Sequence, residues 1–258
     1  MWFSLFLFVF VLFVYIHLQD QYKFHTDIQI YEADYISKST FIETCSLKQP
    51  FISPVNINVP SHLELNQLPF VDYNIKDIHD YFGNETVDTI SLNYNQTKIL
   101  LDTDNNSHFY TCRNNDNDFI KAFQSSWDAT LKPQNTIHST YDVMFGSKYT
   151  KTPVFYHNAS AKYLFIQGQP VKIQLYPYSF ISTNEITHDY ENYEFWTNSD
   201  GDTRKPTEFL LYKQQVLFIP AYCFYRIQFL NTDSIVCSAE YTTLLNAFAH
   251  SKHICMYI

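Results

Sequence analysis

Few side chains in this chain sit where a reaction could use them. His157 closes the phrase Thr152-Pro153-Val154-Phe155-Tyr156-His157, and Tyr225 lies within Ile219-Pro220-Ala221-Tyr222-Cys223-Phe224-Tyr225-Arg226-Ile227. An imidazole and a phenol can bind a metal or move a proton, but a metal needs about three or four ligands in total. His138 or His188 would have to complete the set. A lone His is more often a satisfied or solvated residue than a ligand, so no metal site and no cofactor is expected. Asp200-Gly201-Asp202 lacks the further oxygen ligands that calcium requires and reads as a turn. No GxSxG, Walker-type or GxGxxG phrase occurs, and only 4 glycines are present to build one. Asn84, Asn95, Asn105 and Asn158 each begin an Asn-x-Ser/Thr triplet, which matters only if the domain faces a lumen.

Composition narrows the remaining classes. At 258 residues the chain can form one sizeable domain or two small ones. Its 23 Phe and 21 Tyr favour strands and a packed sheet core. The net charge of −9 and the absence of a Lys/Arg block argue against a nucleic-acid partner. Five cysteines are scattered without CxxC or zinc spacing, so no dense disulfide framework is indicated.

These residues need elements to position them. Trp2 to Leu18 is nearly all apolar, with His17 its only ionisable side chain. It approaches the length that spans a bilayer, and neither a basic start nor a small-x-small exit marks it as a cleaved signal. The expectation is a single-pass N-terminal anchor over residues 1–19, a spacer over 20–27 and one folded domain over 28–258. Ile28 to Ala33 reads as a strand, Ser37 to Ser46 as a short helix, Gln49 to Ser53 as extended chain and Tyr73 to Phe82 as a helix with Ile75, Ile78 and Phe82 on one face. Strands are expected at Thr86 to Leu92, Lys98 to Leu101 and Phe109 to Cys112, a helix at Asp118 to Trp127, and irregular chain from Lys132 to Lys151.

The central stretch, Lys162 to Gln167 and Val171 to Tyr176, reads as two strands. Val171, Ile173 and Leu175 alternate with Lys172, Gln174 and Tyr176, and Gly168-Gln169-Pro170 suggests a hairpin turn. A polar loop over Ser182 to Pro206 precedes strands at Glu208 to Leu211, Val216 to Ile219, Phe224 to Phe229 and Ser234 to Tyr241, and a closing helix at Thr242 to His250. Many short strands with a few helices predict a mainly β fold, a jelly roll or barrel with helical additions.

The Thr152–His157 phrase, with Gly168 after it, resembles the Thr-Pro-x-His-Tyr-Asp of the JmjC-like, cupin-like dioxygenases. The Ile219–Ile227 phrase is similar to that family's Ile-Pro-x-Tyr-Trp-Trp-His-x-Ile, and Tyr35 to Ile52 resembles its entry helix and strand. Closer still are the cupin-like proteins of giant nucleocytoplasmic DNA viruses. Tyr141 to Ser147, Asp189 to Phe195 and Leu217 to Pro220 resemble that group, many of whose members carry an N-terminal hydrophobic segment. The resemblance implies a double-stranded β-helix with peripheral short helices, and a viral origin.

It also implies an iron site, and here the chain departs from the pattern. The family holds Fe(II) with two His and a carboxylate and leaves positions for 2-oxoglutarate and oxygen. The first His falls on Phe155, the carboxylate on His157, the second His on Tyr225, and the cosubstrate lysine at or beside Pro170. A phenyl ring donates no lone pair, neutral Tyr is a poor Fe(II) ligand, and Pro carries no charge. The expected function is that of a membrane-anchored, non-catalytic protein with a structural or interaction role in a virion or host-cell membrane, its protein partner undefined. Two alternatives stand beside it. One is a hydroxylase with rearranged ligands, in which Lys172, one strand period beyond Pro170, grips the cosubstrate. The other is a metal-free pocket for a sugar or other small ligand, using Tyr163, Gln174, Tyr225 and Arg226.

Overall fold

The computed structural model describes residues 2–21, 23, 27–34, 38–67, 71–78, 89–111, 118–176, 194–195 and 206–254. The first element, α1 (Trp2–Gln21), is long and apolar enough to cross a membrane, and none of its residues is buried. Next come β1 (Tyr31–Glu32), α2 (Lys38–Ser46), β2 (Phe51–Pro54) and α3 (His62–Asn66). They are followed by β3 (Asp72–Asp77), β4 (Thr89–Asn93), α4 (Tyr94–Thr103), β5 (Phe109–Thr111) and α5 (Asp118–Leu131). The β-rich remainder comprises β6 (Thr136–Met144), β7 (Val154–Tyr156), β8 (Ala161–Gln167), β9 (Val171–Tyr176), β10 (Glu194–Phe195), β11 (Thr207–Leu211), β12 (Gln215–Ile219), β13 (Phe224–Phe229) and β14 (Ile235–Thr243). The last described element is α6 (Leu244–Ile254).

The chain is mainly β. Its first sheet has the order β1-β2-β12-β8-β14-β6, its second the order β10-β7-β13-β9-β11, and β4-β3-β5 form a small third one. Strand alternation sorts the side chains into two large cores and a small third cluster of Val154, Tyr176 and Phe224. Between the two large sheets lie Leu164 and Ile166 of β8, Leu217 and Ile219 of β12, and Val236 of β14. Facing them are Val171, Ile173 and Leu175 of β9 with Tyr225, Ile227 and Phe229 of β13. On the other face of the first sheet, Tyr163, Phe165, Phe218 and Tyr241 pack under helical residues such as Phe41 of α2 and Trp127 of α5. Trp127 is fully buried and its Nε1 donates to Asn58 O at 2.7 Å. A helix face can thus cover the first sheet because its outward positions are aromatic rather than polar.

Four sequence expectations are corrected. First, β8 and β9 are strands but not a hairpin: β8 pairs with β12 and β14, whereas β9 pairs with β11 and β13. Gly168 supplies the expected positive φ of 87°, and the turn carries the chain from one sheet to the other. Period-two alternation is the same in both arrangements, so it cannot choose between them. Second, Tyr73 to Asp77 belongs to the strand β3, not to a helix. Tyr73 and Ile75 point inward two residues apart, and β3 lies between β4 and β5. Phe82, on which the helical reading leaned, lies outside the described residues.

Third, Lys98 to Leu101 falls in the helix α4. Asn93 caps it by accepting from Gln96 N at 3.0 Å, and Tyr94, Thr97 and Leu101 bury one face. Fourth, the stretch from Lys132 to Lys151 contains the nine-residue strand β6. It pairs with β14 at the edge of the first sheet, where polar residues are tolerated because one side meets solvent.

Candidate functional site

The space between the two large sheets has two ends. At one, Gln167–Pro170 and Leu230–Ser234 connect the sheets, and Ile166, Val171, Phe229 and Val236 fill the interior. At the other, the connections are His157–Ser160, between β7 and β8, and Pro220–Cys223, between β12 and β13. Tyr222 N donates to His157 O at 3.0 Å and clasps these two together. Tyr222 adopts φ 64°, a left-handed conformation that an aromatic residue holds only where its surroundings fix it.

This second end, the mouth, is where the resemblance would set an iron. Phe155 and Tyr225 are direct cross-strand partners, and their rings lie 5.4 Å apart. Tyr225 is buried, and burial pushes its phenol up to about 12, so it stays neutral. His157 is 3% exposed, and burial lowers its imidazole to about 4. The carbonyls of Ile219 and Pro220 approach the ring, yet neither nitrogen makes a well-formed hydrogen bond among the described residues. His157 is therefore a neutral, tightly enclosed ring. Pro170, which the resemblance would set at the cosubstrate position, precedes β9 at the opposite end of the sandwich.

Two residues that the sequence reading did not single out dominate the mouth. Lys162 of β8 and Glu240 of β14 are direct cross-strand partners. Lys162 Nζ lies 2.8 Å from Glu240 Oε2 and 5.3 Å from the centre of the Tyr225 ring. Both side chains are largely enclosed, at 13% and 26% exposure. Burial works against the Lys162 charge, but Glu240 and then Tyr225 outweigh it and hold the ammonium's pKa above its ordinary value. Burial likewise opposes ionised Glu240, and Lys162 outweighs it, leaving the carboxyl below its ordinary value. Both charges persist near neutrality, and the ammonium bridges the first sheet to an aromatic ring of the second. A sequence signal existed: Lys162 has the parity of Leu164 and Ile166, and Glu240 that of Val236. Which parity points inward becomes visible only when the sheets are paired.

The remaining predicted residues lie elsewhere. Tyr163 faces the helices, with its hydroxyl 3.4 Å from Cys45 Sγ and its ring 5.6 Å from that of Phe41. Lys172, Gln174 and Arg226 occupy the outward face of the second sheet. There Lys172 and Gln174 both bind Glu208, and Arg226 is the cross-strand partner of Gln174. Tyr225 alone of the proposed small-ligand set points into the mouth. His138 lies on the edge strand β6 and bonds Thr140 Oγ1 at 3.2 Å, while His188 is outside the described residues. Asn95 and Asn105 are exposed, Asn158 is half-buried with its carbonyl accepting from Asn246 Nδ2 at 2.9 Å, and Asn84 is outside the described residues. Among the described residues, no group of three or more His, Cys, Asp or Glu side chains could hold a metal.

No protein-family model matches this chain, and no curated protein matches it. The mouth's own chemistry must therefore carry the functional reading. Its donor set does not fit Fe(II). Phe155 offers no lone pair, and Tyr225 is neutral. Among the described residues His157 has only the Glu240 carboxylate near it, and that carboxylate is already paired with the Lys162 ammonium, which repels a second cation from the same space. A surface groove near Val55, Asn58, Gln167 and Lys213 lies at the far end of β8 and β12, remote from these residues.

Proposed function

We propose that the chain is a membrane-anchored, non-catalytic jelly-roll protein of the cupin-like kind, with a structural or interaction role. The strand order supports the fold reading. Four strands of each large sheet, β6-β14-β8-β12 and β7-β13-β9-β11, interleave so that the chain crosses between sheets at nearly every connection. That alternation is how a double-stranded β-helix is wound. The apolar, unburied α1 supports the anchor. The phrases Tyr141 to Ser147 and Asp189 to Phe195 are the support for a viral kind of cupin-like protein.

One observation carries the non-catalytic reading: an ammonium–carboxylate pair and two aromatic rings in tilted contact fill the mouth where the family's chemistry would need ligands. The test is direct. The full chain, reconstituted in phosphatidylcholine vesicles, stays with the lipid through an alkaline carbonate wash and consumes no 2-oxoglutarate in the presence of Fe(II) and ascorbate. Release by the wash would remove the anchor, and iron-dependent 2-oxoglutarate consumption would remove the non-catalytic reading.

A further inference from the structure

We infer that α6 is a membrane-surface helix that seats the folded domain on the bilayer beside α1, through Leu244, Leu245 and Phe248. This rests on the reading of α1 as a membrane span. The two faces of α6 differ. Asn246 and Ala249, three residues apart, are 1% and 2% exposed, and Asn246 Nδ2 fixes the helix to Asn158 O at 2.9 Å. Leu244, Leu245 and Phe248 occupy another face at 46%, 38% and 59% exposure. Ile137, 56% exposed, lies nearby, because its neighbour Thr136 pairs with Thr243, the residue that precedes α6.

The position of α1 supplies the occupant. Residues 2–13 of α1 are exposed, whereas Val14, His17, Leu18, Asp20 and Gln21 are half-buried, so the folded part meets the helix over its last two turns. α6 lies against α1. Lys48, following the exposed Leu47 at the end of α2, donates from Nζ to the carbonyl of Asp20. The helix that carries the apolar patch thus lies beside α1, whose last two turns meet the folded part. A helix with one apolar face held at that level sinks roughly 5–10 Å into the headgroup boundary. The patch continues the apolar surface of α1, and the occupant is the lipid bilayer surface itself. The mouth of the sandwich, at the same end as α6, consequently faces the membrane rather than bulk solvent.

The experiment places an indole on the patch. The chain has 3 Trp residues, and Trp127 is buried. Leu244→Trp in a Trp2→Phe, Trp196→Phe background therefore adds one surface reporter to one buried indole. The full chain is reconstituted in phosphatidylcholine vesicles with and without acyl-chain bromination near the headgroups, then floated after an alkaline carbonate wash. Retention of the chain with about a twofold loss of the added indole's emission in brominated lipid is the expected result. Retention without quenching overturns the seating of α6 and leaves the α1 reading intact, the patch then serving a protein or a second copy. Release by the wash overturns both. Leu245→Trp, on the same face, repeats the measurement should the first variant be misfolded by circular dichroism.

Discussion

The two ends of the space between the sheets are built from the same strands and hold opposite kinds of interior. At the end formed by Gln167–Pro170 and Leu230–Ser234, the interior side chains Ile166, Val171, Phe229 and Val236 are all apolar and interlock. A Cβ placed on Gly146 would lie 2.2 Å from the Phe229 ring, and one on Gly168 2.0 Å from Asp233 O. At the mouth, Lys162 of the first sheet pairs with Glu240 and lies over the Tyr225 ring of the second, with the His157 ring enclosed nearby. The comparison separates two jobs of one layer. The apolar end keeps the sandwich closed, and the mouth carries an internal ion pair.

The largest expected effect comes from the apolar end. Phe229→Ala removes a fully buried ring and should cost roughly 3–5 kcal/mol in urea unfolding of the detergent-solubilised chain. A loss below about 1 kcal/mol would mean this end is not the closure it is taken to be.

The pH dependence sharpens the mouth. His157 titrates near 6.5 when unfolded and at about 4 when folded, so between those values the unfolded state binds the extra proton. Stability should therefore fall as the pH drops from about 6.5 to about 4, by on the order of 3 kcal/mol. Glu240, whose carboxyl is also lowered, adds a loss only below its ordinary range near 4.5. Urea midpoints of wild type and His157→Gln, compared at pH 7 and pH 4, isolate the imidazole. Parallel losses in the two proteins would place the effect elsewhere.

Lys162→Met leaves Glu240 enclosed and unpaired. A fully buried broken pair costs roughly 3–5 kcal/mol, and the residual exposure of these two side chains reduces the expectation to about 2 kcal/mol. The double change Lys162→Met/Glu240→Leu should recover to within about 1 kcal/mol of wild type, because two apolar groups need no partner. Equal costs for the single and double variants would show that the pair has a role beyond neutralising each other.

The smallest effect returns to the apolar end. Lys98 of α4 reaches Asp233 at 2.8 Å and Asp102 at 3.0 Å, with Asp233 well exposed. Lys98→Met should cost about 1 kcal/mol or less, read from the same melts.

Much of the fold was legible in the sequence because alternation is local. The bounds of β13, Phe224–Phe229, follow from the pattern Phe-Tyr-Arg-Ile-Gln-Phe, and α5, β11 and β12 stand close to their expected places. Partner choice was not legible: nothing in Gly168-Gln169-Pro170 says whether β9 folds back on β8 or crosses to another sheet. The same gap hid Lys162 and Glu240, whose pairing across 78 residues depends on register rather than on any phrase. Phe155 and Tyr225 meet as cross-strand partners, whereas Tyr163 faces the helices and Gln174 pairs with Arg226 on the outward face, because the inward parity of their strands cannot be read from the sequence.

The central claim is that the mouth, where the resemblance would set an iron, does not hold one. The direct measurement is iron content of the full chain in detergent after anaerobic loading with Fe(II), with His157→Ala as its control. The account predicts no stoichiometric iron in either protein. One iron per chain, lost in His157→Ala, would contradict it.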